Sequence, residues 1–396
     1  MAVDRRDPPV AQLDEHVWEQ CVSPTRPAAV VVLAAGAGTR MKSDLPKVLH
    51  ALGGRSLLGH ALAAARECDP EHLVVVVRHQ RDAVAAHVEE IHPGTLVADQ
   101  DEIPGTGRAT ECGLAQLPAD LTGTVLVTYG DVPMLTGATL KAVVAMHEEG
   151  GHGATVMTAH VEDPTGYGRI LRDDTGDVLG IVEQKDATPA QAAITEINSG
   201  IYAFDGALLR ESLAKVGTDN AQGEKYLTDV LAIAREAGRR VAAYVCDDLW
   251  QTEGVNDRVQ LERMGVEMNR RVLQRWMRAG VTVVDAATTH VDVQVTFGRD
   301  CRLLPGTQVL GASTIGAGVE IGPDTTLRDV EVGDGATIVR THAHLTEIGA
   351  GARVGPFVFL RPGSSVDASA TVAPFTDLGA ARGDAAASSI TTDPEA

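Results

Sequence analysis

Ala29-Val30-Val31-Val32-Leu33-Ala34-Ala35-Gly36-Ala37-Gly38-Thr39-Arg40-Met41, followed by Leu45-Pro46-Lys47, joins an apolar strand to a glycine-rich turn and two cations. The run 29–33 is apolar throughout and rich in β-branched residues, the composition of a strand buried on both faces of a parallel sheet. Gly36 and Gly38 let the backbone turn tightly with its amides exposed, and such a turn opening a helix is an anion cradle. Arg40 and Lys47 then neutralise a polyphosphate, one as a planar fork and the other as a point charge. Neither the P-loop spacing nor the dinucleotide fingerprint is matched, so the reading rests on glycines and cations together. It predicts an α/β domain whose first strand ends in a triphosphate loop.

With 396 residues, 44% of them hydrophobic, the chain is long enough for two domains with sizeable cores. Only 3% of residues are aromatic, so those cores must be built from Val, Leu, Ile and Ala. A net charge of −20 argues against nucleic-acid and anionic-membrane binding, both of which need a basic surface. No apolar run approaches the roughly 18–20 residues that span a bilayer, and residues 1–28 are not signal-like, so the expected location is the cytoplasm. Cys21, Cys68, Cys112, Cys246 and Cys301 are scattered without a C-x-x-C pair and read as reduced thiols. His342 and His344 read as a solvated strand face rather than metal ligands.

Residues 1–28 read as an extension carrying one short helix around Leu13–Cys21. From 29 to 262 strand patterns (73–77, 125–128, 154–159, 201–204) alternate with helical ones (57–67, 227–236), predicting a Rossmann-like domain with a mostly parallel sheet. A helical linker is assigned to 263–282, within a helical pattern that runs from Val259 to Ala279. The rhythm then changes to six. Phe297, Leu303, Val309, Ile315, Ile321 and Leu327 recur at that interval, and Ile348, Val354, Leu360, Val366 and Val372 resume it, which specifies a parallel β-helix over 283–379. The Gly/Ala/Ser-rich tail 380–396 is expected to be disordered.

Two further clusters suit a nucleotide. Gln100 offers a base edge both a donor and an acceptor, and Gly105-Thr106-Gly107-Arg108-Ala109 allows close backbone approach to a flat ring. Val125-Leu126-Val127-Thr128-Tyr129-Gly130-Asp131-Val132-Pro133 is a buried strand that ends in a carboxylate, at the sheet edge where α/β folds place ligands. A hard cation such as Mg²⁺ takes one or two protein oxygens and completes its shell with phosphate and water, and Asp131 can supply one.

The string 33–41 with Pro46-Lys47 resembles the LAAGxGTRM…PK signature of sugar-1-phosphate nucleotidyltransferases. Lys47-Val48-Leu49-His50 narrows the resemblance to bacterial N-acetylglucosamine-1-phosphate uridylyltransferases. The resemblance implies UTP and a sugar 1-phosphate as substrates, Arg40 and Lys47 as catalytic cations, and Mg²⁺ held by Asp131 and Asn256, with Asp257 the runner-up ligand. It places Leu33, Ala34, Ala35, Gly36, Gly38, Gln100, Gly105, Thr106, Tyr129 and Gly130 against the nucleotide, and Gly168, Glu183, Asn198, Tyr226 and Thr228 in the sugar pocket. Arg108 stands where the family commonly has His, so a changed sugar specificity would be expected to act there. The six-residue repeats resemble left-handed β-helices, which are usually trimers, so a homotrimer is expected. A non-catalytic trimeric scaffold is the competing reading, and the joint presence of Arg40, Lys47, Asp131 and Asn256 weighs against it.

The family is bifunctional, with an acetyltransferase in its β-helix. The match runs through Gly355-Pro356-Phe357 and Leu360-Arg361-Pro362-Gly363. Where the family has V-G-N-F-V-E-V-K-N, the chain has Val372-Ala373-Pro374-Phe375-Thr376-Asp377-Leu378-Gly379-Ala380. Gly and Ala replace the functional Lys and Asn, and the catalytic His and the acetyl-CoA coils have no counterpart in the sequence, so acetyl transfer is expected to be absent.

Overall fold

Side chains alternate across β1 (Ala29–Leu33) so that Ala29, Val31 and Leu33 enter one core and Val30 and Val32 another. The structure, a computed structural model, describes residues 26–379 and 389–390, so the helix expected around Leu13–Cys21 lies outside the described residues. The strands that follow are β2 (Ala51–Leu52), β3 (Arg55–Ser56), β4 (His72–Val77), β5 (Leu96–Asp99), β6 (Thr124–Tyr129), β7 (Ala154–His160), β8 (Arg169–Arg172), β9 (Val178–Val182), β10 (Glu196–Asp205) and β11 (Val241–Val245). The helices are α1 (Leu57–Glu67), α2 (Arg81–Ile91), α3 (Thr106–Leu114), α4 (Gly137–Glu149), α5 (Pro189–Ala192), α6 (Gly206–Leu213), α7 (Asp229–Glu236) and α8 (Arg258–Arg278).

The main sheet has the order β11-β7-β10-β6-β1-β4-β5, with β8 and β9 as a side arm. β1 lies between β4 and β6 and is parallel to both, whereas β10 runs antiparallel to β6 and β7. Helices α3, α6 and α7 pack on one face and α1, α2 and α4 on the other, giving a Rossmann-like three-layer domain. Each fully buried Val or Leu in these cores contributes about 1.5–3 kcal/mol relative to an exposed one. Because the chain leaves β1 toward β4 on one side and later returns as β6 on the other, a crevice opens outside their C-terminal ends.

One expectation fails at the first turn. The glycine loop opens no α-helix: a single 3-10 turn, Thr39–Met41, is closed by Lys42 at φ +48°, and the first α-helix begins only at Leu57. A left-handed residue ends helical propagation, and Pro46 stands four residues further on.

Helix α8 starts at Arg258, earlier than the linker assigned to 263–282, because Asp257 caps it by accepting from the Gln260 amide at 2.8 Å. Its Met264, Met268, Val272 and Leu273 share one apolar core with Leu52 and Leu57 behind them and with Val291, Leu303 and Val309 ahead. Arg271 clamps the helix to the preceding loop through Asp248 at 2.7 and 2.8 Å.

From Thr282 the chain winds into a left-handed parallel β-helix whose described residues form three parallel sheets with six strands each. Leu303, Val309, Ile315, Ile321, Leu327, Ile348, Val354, Leu360, Val366 and Val372 all point inward and are buried. Between Leu327 and Ile348, where the period lapses in the sequence, Val332, Ile338 and Ala343 fill the core on shorter turns. Gly298, Gly316, Gly333 and Gly349 stack at one corner, where a Cβ would meet the next coil's backbone at 2.4 to 2.7 Å. Of the tail, Ser389–Ile390 are described, paired parallel with Ser365–Val366. Cys68, Cys112, Cys246 and Cys301 are free thiols, and Cys21 lies outside the described residues. His342 stacks on Phe359 at 5.1 Å on the outer surface.

Candidate active site

Two cavities lie side by side along the C-terminal edge of the sheet. The first, of about 340 Å³, is walled by the loop after β1 (Leu33, Ala34, Ala35, Gly36), by Lys47, by Gln100 after β5, by Gly105 and Thr106 at the start of α3, and by Tyr129 and Asp131 after β6. The second, of about 360 Å³, takes in Gly168, Glu183, Asn198, Tyr226, Thr228 and Asn256. Thr106, Tyr129, Asp131 and Glu224 line both, so the two halves meet at the Asp131 carboxylate.

At that junction Lys47 donates from Nζ to Asp131 Oδ2 and, at 3.3 Å, to Asn256 Oδ1. The loop carrying Asn256 is held by its own bonds: Val255 N donates to the Asp131 carbonyl at 2.9 Å, and Asn256 N donates to Gln260 Oε1 at 2.7 Å. A carboxylate oxygen and an amide oxygen therefore converge on one positive charge, the donor set a hard divalent cation selects. Asp257, the runner-up ligand, is occupied as the cap of α8.

Three glycines fix the approach. Gly38, at φ +62°, packs so closely on the Lys47 stem that a Cβ would lie 2.6 Å from Lys47 Cβ. Gly130 is buried, donates to the Leu33 carbonyl at 2.9 Å, and would carry a Cβ 3.0 Å from Leu58. Neither lines a cavity; both hold its walls. Gly200, at φ +85°, lets Tyr129 lie against it, and its amide donates to Asn198 Oδ1 at 2.8 Å. Tyr202 donates to the same oxygen at 2.9 Å, which leaves the Asn198 amide nitrogen for a ligand.

Arg40 is exposed on the 3-10 turn, lines neither cavity, and has no side-chain partner among the described residues. Arg108 is not a pocket residue either. Its guanidinium is spent on Asp101, at 3.0 and 2.5 Å, and on Glu111 at 2.9 Å, so the departure from the family pattern lies outside both cavities.

Sequence reading missed Arg78 and His79, which enter the first cavity from the end of β4. Their signal was available: they follow the apolar run Leu73–Val77, at the same sheet edge as Asp131. Arg169 was also missed as an organiser. Its buried guanidinium donates to the Tyr167 carbonyl, to Gln184 Oε1 at 2.7 Å and to the Ala192 carbonyl at 3.2 Å, tying together the loops that present Gly168 and Glu183. Burial pushes the Glu183 carboxyl above the usual carboxylate range; a Thr228 hydrogen bond opposes this, and Asp186, Asp229 and Glu224 add to it.

Residues 30–194 match the model of the MobA-like NTP transferase domain. The chain is 61% identical over 342 residues to the bifunctional protein GlmU of Pseudarthrobacter chlorophenolicus, an alignment covering 86% of this chain and 70% of that protein. It is 60% identical to the GlmU protein of Paenarthrobacter aurescens, covering 85% and 68%, and 57% identical to that of Kineococcus radiotolerans, covering 89% and 72%. Enzymes of this kind generally work with a divalent metal. No helix of the described residues is long and apolar enough to cross a membrane. Kinship over most of its length, together with a nucleotide-sized cleft at the sheet's switch point, shows that the chain belongs to the GlmU family and is a nucleotidyltransferase, a UDP-N-acetylglucosamine pyrophosphorylase.

Proposed function

We propose that UTP occupies the first cavity and N-acetyl-α-D-glucosamine 1-phosphate the second, and that the sugar phosphate oxygen attacks the α-phosphorus in line. The new P–O bond forms as the bond to the β-phosphate oxygen breaks, and pyrophosphate leaves. The meeting of the two cavities at Asp131 carries this reading, because both phosphates must reach one point. No protein nucleophile is needed.

Gln100 is taken as the base reader. Its Nε2 donates to the carbonyls of Ile103 at 3.0 Å and Gly105 at 3.2 Å, which leaves Oε1 as an acceptor. Uracil offers N3–H to such an acceptor; cytosine has none there. Tyr129 and Thr106 complete this half. Glu183, Asn198, Tyr226 and Thr228 are assigned to the sugar hydroxyls and acetamide, with Gly168 giving them room. Arg40 and Lys47 are assigned to the polyphosphate. Asp131 and Asn256 would hold Mg²⁺, which when bound neutralises phosphate charge.

The test is pyrophosphate release with UTP, Mg²⁺ and a panel of sugar 1-phosphates. Release confined to N-acetylglucosamine 1-phosphate is expected; preference for another sugar sinks the sugar assignment, and equal use of CTP sinks that of Gln100.

Glu183 gives the reaction a pH dependence. Sugar hydroxyls donate best to the charged carboxylate, so KM for the sugar phosphate should rise as pH falls through the raised pKa, while KM for UTP stays nearly flat. Glu183→Gln should remove the slope. Because the folded state holds this proton more tightly than the unfolded chain, the same group makes stability rise as pH falls through that value. Melting temperatures followed from neutral pH down into the ordinary carboxylate range check the second half.

We further propose that this chain carries out no acetyl transfer and assembles as a trimer. Gly379 and Ala380 stand at the family's Lys and Asn positions, and Arg361, which the resemblance implies as a sugar-phosphate contact, is paired with Asp377 at 2.8 and 2.7 Å. Exposed Leu345, Phe357 and Phe375 on the β-helix support self-association. Acetyl-CoA-dependent thiol release would overturn the first proposal, and a monomeric mass by light scattering the second.

A further inference from the structure

The nucleotide turn and the sugar wall belong to segments far apart in sequence, yet they are joined outside the cleft by alternating charges. Asp101 follows Gln100. Arg108 on the first turn of α3 pairs with Asp101 at 2.5 Å and reaches Glu111, one helical turn on, at 2.9 Å. The other oxygen of Glu111 accepts from Lys225 Nζ at 2.5 Å. Lys225 directly precedes Tyr226, and its side chain is only 13% exposed, with Glu111 at 20%, so this end of the row is shielded from solvent screening. None of the four residues lines either cavity.

The backbone beneath this row is stitched the same way. Lys225 N donates to the Pro104 carbonyl at 3.0 Å, Gly107 N donates to the Lys225 carbonyl at 2.8 Å, and Leu227 N donates to Thr106 Oγ1 at 3.2 Å. Thr106 lines both cavities, so any drift of 224–228 is felt in both.

We propose that Asp101, Arg108, Glu111 and Lys225 are positioning residues that lock the base-reading turn to the sugar wall, so that one charge row outside the cleft sets the affinity for both substrates. This rests on the assignment of the two cavities to UTP and sugar phosphate. Lys47, Asp131 and Asn256 are held by separate bonds, so loosening the row should impair binding rather than the chemical step.

The experiment varies both substrates in wild type, Glu111→Ala, Lys225→Met and the double variant. KM for UTP and KM for the sugar phosphate should both rise about tenfold in Glu111→Ala and about fivefold in Lys225→Met, with kcat within about threefold. The double variant should be no worse than Glu111→Ala by more than about twofold, since both substitutions cut the same contact. A merely structural role would lower kcat with the active fraction and leave both KM values in place; that result in the folded variants overturns the proposal. If Glu111→Ala does not fold, Lys225→Met decides by the same criterion. A wild type silent with every sugar phosphate overturns the underlying assignment and this inference with it, whereas an active wild type with unmoved KM values in the variants overturns this inference alone.

Discussion

Asp131→Ala is expected to lower kcat/KM for pyrophosphate release by about three orders of magnitude, because it strikes the point shared by both cavities. The substitution removes one of the two oxygens that converge on a cation and leaves Lys47 without its counter-charge. The backbone needs none of this: the Asp131 carbonyl still accepts from Val255 N at 2.9 Å, so the loop carrying Asn256 stays in place. The variant should therefore fold, losing about 1–3 kcal/mol from an unpaired, largely buried ammonium. Steady-state kinetics with a metal titration, beside thermal melts, check both halves. A loss under about tenfold would mean that the carboxylate merely caps the turn before Pro133.

Gly105→Ala should be nearly as damaging, for a different reason. Gly105 sits at φ +117°, and a Cβ there would lie 2.3 Å from Lys225 O and 2.5 Å from Lys225 N. Those are backbone atoms already bonded to Gly107 N and Pro104 O, so the alanine can be accommodated only by breaking the stitch between turn and sugar wall. Strain and lost hydrogen bonds together should cost about 3 kcal/mol and raise KM for UTP about a hundredfold. Gly94→Ala is the control: φ is +82° and nothing lies within 4 Å of its Cβ, so it should cost only about 1 kcal/mol and leave KM unchanged. Equal effects of the two on KM would remove the Lys225 contact from the explanation.

What the sequence disclosed follows a physical line. Leu33 ends one apolar strand and Asp131 follows another, ends that a local pattern locates, and the six-residue period records a core that repeats along the chain. Contacts made by side-chain direction across long separations leave no local trace. Nothing near Glu111 announces Lys225, and nothing near Lys47 announces that its ammonium rests between Asp131 and Asn256. Arg108 shows the same limit, since its departure from the family pattern was legible but its pairing with Asp101 and Glu111 was not. The glycine loop misled in one respect: Gly36 and Gly38 forecast the turn, but Lys42 at φ +48° ends the helix that an anion cradle of the usual kind requires. The lapse in period after Leu327 hid three inward residues because shorter turns of the coil break the count without breaking the stack.

Helix α8 begins one residue beyond the Asn256–Asp257 step and ends against the first coil of the β-helix, with its apolar side sunk in a core common to both domains. Mechanically it is a beam supported at both ends, seated on the β-helix by its apolar side and tied near Asn256 through Arg258 Nε to the Met41 carbonyl at 3.1 Å and through Val255 N to the Asp131 carbonyl. The stiffness behind Asn256 is thus shared between these local bonds and the coil stack, whatever chemistry that stack itself performs. Whatever its other roles, the β-helix thus serves as a foundation for the helix that follows Asn256, and damage to its first coils would reach the cleft along that helix.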